Sequence, residues 1–178
     1  MGEVELSLLR PSAPEDLLDE EAFEHDEFLP YWAELWPAAS ALARALPADL
    51  RGVRIVELGC GLGVPSLVAA ARGAEVVATD WASDAIDLLR QNAERNNVVL
   101  QARVWDWRTP WDEQFDLALA ADVLYERRNV EPLVRALQSL APEALIGLAN
   151  RPYEQQFLQS VEATEIAERV VRVRTPGV

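Results

Sequence analysis

Between residues 53 and 149, short apolar runs alternate with amphipathic segments, and few folds accommodate that alternation. VRIVEL (53–58), EVVATD (75–80), VVLQARVWD (98–106), FDLALAAD (115–122) and EALIGLA (143–149) read as strands. VPSLVAAARG (64–73), SDAIDLLRQNAERNN (83–97) and NVEPLVRALQSL (129–140) read as the helices between them. VRIVEL and FDLALAA are nearly continuous in apolar character, as strands buried on both faces require. Strands joined by helices through short loops predict an α/β fold: a doubly wound, mostly parallel sheet covered by helices on both sides. Ligands of such sheets bind at the carboxyl ends of the strands, near the point where strand order reverses. The residues that end each strand are therefore the candidates for chemistry.

Flanking segments complete the outline. PYWAELWPAASALARALP (30–47) predicts a helix, with Leu35, Ala38, Ala39, Leu42 and Leu46 at helical spacing and Pro47 as its stop. PYEQQFLQSVEA (152–163) predicts a helix, and EIAERVVRVR (165–174) a last strand or a bent pair. So little chain follows residue 163 that the C-terminal strand pair is expected to be shortened, or one strand missing. The division expected is an acidic N-terminal arm over residues 1–29 and a single domain over 30–178.

The formal net charge is −14, and residues 1–30 hold ten carboxylates against the single basic Arg10. That balance argues against nucleic acid as a partner, which needs clustered basic residues. The arm reads either as a solvated acidic segment or as an attractor for a basic, lysine-bearing protein surface. All sixteen basic residues are arginines. No run approaches the ~20 apolar residues of a membrane span. The opening MGEVELSLLR lacks the pattern of a signal peptide, and Cys60 alone allows no internal disulfide, so the cytoplasm is the expected location. His25, the only histidine, gives no metal set.

Gly59, Gly61 and Gly63 follow the first strand and open a helix, with Glu57 two residues ahead of them. Bare backbone at a helix N-terminus admits a ligand. In the dinucleotide fingerprint the third glycine would fall on Val64, and an acid beside the loop suits a cationic ligand better than a phosphate. Asp80 ends the second strand, where an acid accepts hydrogen bonds from a ribose diol. In VWDW, Asp106 can receive an exocyclic amine, while Trp105 or Trp107 offers a flat face for a purine. Trp32, Trp81 and Trp111 read as core or lid residues, and Cys60 as a small buried side chain.

VELGCGLG, VVATD, VWDW and FDLALAADVLYE resemble the successive cofactor motifs of the seven-strand, Rossmann-like class I methyltransferases, which use S-adenosylmethionine. Asp122-Val123-Leu124-Tyr125 resembles the Asp-x-x-Tyr motif of a branch rich in protein-lysine methyltransferases. PYWAELWPAASALARAL is similar to that branch's N-terminal helix, especially in enzymes modifying the electron-transfer flavoprotein β subunit. The resemblance implies that Glu57 and the glycines hold the methionine part of the cofactor, Asp80 its ribose and Asp106 its adenine amine. It implies that Trp36 packs against the cofactor, with Trp81, Trp107 and Ala121 beside it. Asp122 and Tyr125 become the catalytic pair, with Asp122 positioning a lysine presented by a protein substrate. After the fifth strand the flavoprotein-type pattern Asp-Pro-Gly-Arg-Pro is reduced to Arg151 and Pro152, with Leu148, Ala149 and Asn150 before them. A small amine or heteroaromatic nitrogen as acceptor, and a non-catalytic cofactor-binding module, remain alternatives.

Overall fold

The computed structural model describes residues 4–12 and 31–175. Its strands are β1 (Arg54–Leu58), β2 (Glu75–Asp80), β3 (Gln101–Val104), β4 (Leu117–Ala121), β5 (Glu143–Gly147), β6 (Glu162–Ala167) and β7 (Val170–Arg174). The helices are α1 (Pro37–Ala45), α2 (Val64–Ala71), α3 (Ser83–Arg95), α4 (Val130–Leu140) and α5 (Glu154–Gln159). The strands form one sheet in the order β3-β2-β1-β4-β5-β7-β6. Pairings from β3 through β5 are parallel; β7 runs antiparallel to both β5 and β6.

Alternate residues of the central strands feed two cores. Ile55, Leu119 and Leu145 point to one face, where Leu42 of α1, Leu67 of α2 and Leu89 of α3 are buried. Val56, Leu58, Ala118, Ala120, Ala144 and Ile146 point to the other, against Leu133 and Leu137 of α4 and Phe157 of α5. A period of two along each strand, with apolar residues at every step, produces this double burial.

Three predicted boundaries are corrected. The first helix begins at Pro37 rather than residue 30: the proline ring disfavours helical backbone before it, and Trp36 is extended (φ −76, ψ 138). A separate 3-10 turn covers Tyr31–Ala33. The third strand is confined to Gln101–Val104, the four residues that pair with Val77–Asp80 of β2. The last helix ends at Gln159, and Glu162 starts a strand instead. Both C-terminal strands are therefore present, closed by a tight hairpin in which Arg169 takes φ 61. The seven-strand sheet is complete.

Residues 4–10 of the expected arm lie along α3. Asn92, fully buried, accepts from the Leu9 N–H at 2.6 Å and donates to its carbonyl at 3.1 Å. One turn on, Asn96 makes the same pair of bonds to Ser7, at 2.8 and 2.9 Å. Val4, Leu6 and Leu8 pack on the core beneath. Residues 13–30, with most of the acidic arm and His25, lie outside the described residues. Among the described residues no helix is long and apolar enough to cross a membrane.

Candidate active site

β1 pairs with β2 on one side and β4 on the other, so strand order reverses between β1 and β4. An open cleft lies beyond their carboxyl ends. The twelve predicted residues, Trp36, Glu57, Gly59, Gly61, Gly63, Asp80, Trp81, Asp106, Trp107, Ala121, Asp122 and Tyr125, all line it.

The glycine loop is packed from within the protein. A Cβ on Gly63, at φ 72, would stand 2.3 Å from a methyl carbon of buried Leu89. One on Gly59 would stand 2.8 Å from the Trp107 ring, and one on Gly61 would meet the Trp32 carbonyl at 3.0 Å. The sequence reading gave these glycines to a ligand alone; close internal packing demands them as well.

Two buried acids support that loop. Asp80 accepts from the Gly61 N–H at 2.9 Å and the Ala82 N–H at 3.1 Å. Glu57 is fully buried, and its Oε2 takes both the backbone N–H (2.9 Å) and the hydroxyl of Ser66, in the first turn of α2. Burial drives the Glu57 carboxyl up to about 8 and the Asp80 carboxyl up to about 6. Glu57 is thus a tie between β1 and α2, and at neutral pH burial favours its protonated form over the fixed negative charge that the sequence reading placed beside a cation. Burial likewise pushes the Cys60 thiol well above its usual range, consistent with a packing role.

Across the cleft, the Asp106 carboxylate receives the Arg108 N–H at 2.9 Å and is gripped by its guanidinium at 2.8–2.9 Å. Trp105 packs on Trp111, ring centroids 4.7 Å apart, and Trp111 on Phe115 at 5.5 Å. That places Trp111 with the core and leaves Trp107 standing over Gly59. The Trp107 Nε1 is buried with no hydrogen-bond partner among the described residues.

At the other end, Asp122 follows β4 in left-handed backbone, φ 55, its N–H bonded to the Gly147 carbonyl at 3.0 Å. Val123 and Leu124 are buried in the core, and Asn129 Nδ2 holds the Val123 carbonyl at 3.1 Å. Those anchors turn the chain so that Asp122 and Tyr125 both reach the cleft. The Tyr125 ring packs on Tyr31 at 5.4 Å, and Tyr31 on Trp36 at 6.2 Å. The Asp122 side chain, 3% exposed, is gripped by a residue absent from the sequence-derived set: Arg151, whose Nε and Nη2 reach its two oxygens at 2.7 and 2.9 Å. The Arg151 guanidinium also lies 5.3 Å from the Trp36 ring centre. Trp36 therefore carries an arginine as well as facing the cleft. The surviving Arg151-Pro152 pair was the signal available in the sequence; Tyr31 and Ser66 carried none.

These residues fit S-adenosylmethionine. An orphaned indole donor, a flat ring and an acid lie at one end, and buried carboxyls lie under a close-approach loop at the centre. That arrangement suits an adenosine laid across the strand ends, with its amino-acid tail against the bare backbone of the glycine loop. Among the described residues no group of three or more His, Cys, Asp or Glu is placed to hold a metal ion.

Comparison with known proteins agrees. Residues 29–164 match the family model described as lysine methyltransferase. The chain is 35% identical over 115 residues to the electron transfer flavoprotein beta subunit lysine methyltransferase of Danio rerio, covering 62% of this chain and 45% of that protein. It is 34% identical over 146 residues to protein N-lysine methyltransferase METTL21A of Mus musculus, covering 73% and 66%. The chain thus spans about half the length of the first of these curated relatives. The T. thermophilus 16S rRNA N2 G1207 methyltransferase RsmC, solved with AdoMet and guanosine, superposes with a TM-score of 0.65 at 22% identity, covering 80% of this chain and 44% of that one, which shows the fold. S-adenosylmethionine is the cofactor, and the chain belongs to the lysine methyltransferase family.

Proposed function

We propose that this chain methylates a lysine nitrogen of a protein substrate that presents it from a basic surface. The observation that carries the reading is the placement of Asp122: a buried carboxylate just after β4, forked by Arg151, that lines one cleft with the packed rings of Tyr125, Tyr31 and Trp36. With the Arg151 fork on its two oxygens, that carboxylate keeps acceptor positions for the N–H groups of an incoming amine, and the aromatic faces beside it suit a long aliphatic stem. The net charge of −14 and the names of the lysine-methylating relatives support the same acceptor.

Trp107 and Asp106 would hold the adenine, Asp80 the ribose edge, and the Gly59–Gly63 loop the amino-acid tail. When bound, the cofactor supplies a methyl carbon on sulfonium: the amine's lone pair forms the new C–N bond while the electrons of the broken S–C bond return to sulfur. Asp122 aligns the nitrogen through accepted hydrogen bonds, and Tyr125 with Tyr31 confines the lysine stem in line with the carbon. A lysine arrives as an ammonium ion, with an ordinary pKa of about 10.4, and must release a proton to water before attack.

The test pairs binding with transfer. Calorimetry should show S-adenosylhomocysteine binding and no NAD binding. Tritiated-methyl transfer should then label a lysine in recombinant electron transfer flavoprotein β subunit or another basic protein. Label only on free small amines would move the acceptor to a small molecule. Binding without any transfer would make the chain a cofactor-binding module.

A further inference from the structure

A lone carboxylate facing a lysine stabilises the ammonium form, and an ammonium ion has no lone pair to give. The surroundings of Asp122 answer that difficulty. Arg151 meets both carboxylate oxygens in a fork, at 2.7 and 2.9 Å, and is itself held in place. Its loop is tied by the Leu148 N–H to the Arg169 carbonyl at 2.8 Å and by the Ala149 N–H to Glu154 Oε1 at 2.6 Å. Asn150 turns the chain toward it at φ 61. Two oxygens offer about four acceptor positions, of which the fork occupies two.

We propose that Arg151 is a positioning residue for methyl transfer: it cancels the charge of Asp122 in place, so the pair orients an incoming amine by hydrogen bonds without holding it as ammonium. This rests on the reading that the acceptor is a basic amine. The other charged or titratable groups around Asp122 are Tyr31 and Glu34 before α1, Tyr125 and the Glu126–Arg128 pair after β4, and Glu154 of α5. Glu57, Asp80 and the Asp106–Arg108 pair complete the cleft. All are common to the variants below, so a difference between variants belongs to the Asp122–Arg151 pair.

The probe is n-butylamine, a lysine side chain without its backbone, titrated by NMR into the protein loaded with S-adenosylhomocysteine. Near neutral pH, Arg151→Ala should bind n-butylammonium about tenfold more tightly than wild type, and the double variant with Asp122→Asn should lose that gain. With cofactor and a lysine protein substrate, Arg151→Ala should show a lower KM and, near pH 7, about a tenfold lower kcat, with the pH midpoint about one unit higher. Arg151→Lys should return the midpoint toward wild type. Unchanged or weaker n-butylammonium binding in Arg151→Ala, with S-adenosylhomocysteine still bound, overturns the proposal. So does a loss of rate that is equal at every pH. If wild type methylates no lysine yet the tenfold binding gain appears, the lysine acceptor fails while the cancellation of the Asp122 charge by Arg151 stands.

Discussion

Glu57 and Ser66 are joined twice: one carboxyl oxygen takes both the backbone N–H and the hydroxyl of the serine. The bond spans the glycine loop from below, fixing the end of β1 to the first turn of α2. Nothing in that arrangement reaches solvent, since both residues are fully buried.

That burial has a pH signature. Folding raises Glu57 to about 8 and Asp80 to about 6, so the folded chain holds these protons more tightly than the unfolded one. Their contribution is present below the unfolded carboxyl range and is lost as pH rises through the raised values. Tm of the cofactor-free protein should fall between about pH 5 and about pH 9, by roughly 10–20 °C if both carboxyls contribute in full. Glu57→Gln, which imitates the protonated acid, should flatten the slope; an unchanged slope removes Glu57 as its cause.

Gly63 and Gly52 share left-handed backbone, at φ 72 and φ 77, but only Gly63 faces another atom within 4 Å. Gly63→Ala should cost about 2–4 kcal/mol, combining strain with the clash against Leu89, whereas Gly52→Ala should cost about 1 kcal/mol from strain alone. Denaturant unfolding of both variants separates the two contributions. Equal losses would mean that Leu89 yields freely.

Trp107→Phe removes a buried N–H that has no partner among the described residues. An unsatisfied donor costs about 1–3 kcal/mol, which offsets the smaller ring, so Tm should stay within about 2 °C of wild type. S-adenosylhomocysteine affinity should drop about five- to tenfold only if the N–H turns to the cleft when the ligand binds and that hydrogen bond is lost. Full affinity in calorimetry would show that the indole donor plays no part in binding.

Asn92→Ala should destabilise the chain by about 2–3 kcal/mol, because it leaves the N–H and carbonyl of Leu9 unpaired against α3. Deleting residues 1–12 should cost at least as much by urea titration. A deletion without effect would show that this segment contributes no stability.

Where the two strand faces and the helix periods agreed, the sequence was a good guide. β1, β2, β4 and β5 and the helices α2, α3 and α4 stand within a few residues of their apolar patterns. The start of α1 needed the steric rule for a residue before proline, applied to Trp36. The C-terminal hairpin was harder, because Glu162–Ala167 lies at the sheet edge and is largely exposed, so its pattern carries little apolar signal. At the site, the line of strand-ending acids was legible because parallel strands bring their ends together. Their partners were not. Arg151 is 29 positions from Asp122, and Ser66 is nine from Glu57 on a different element. Such pairings arise from crossover geometry, which local periodicity does not encode.

The segment along α3 also sets an order of events. Leu9 is bonded to a residue 83 positions later. During synthesis at about 5–20 residues per second, it waits roughly 4–17 s before Asn92 has even been made. The surface that receives it exists only after β1, α2 and β2 have been laid down and α3 has formed against them. Residues 4–10 are therefore made well before the surface they pack on, and they find their places only once α3 has formed. A nascent chain halted before α3 would display Val4, Leu6 and Leu8 to whatever holds unfolded chains.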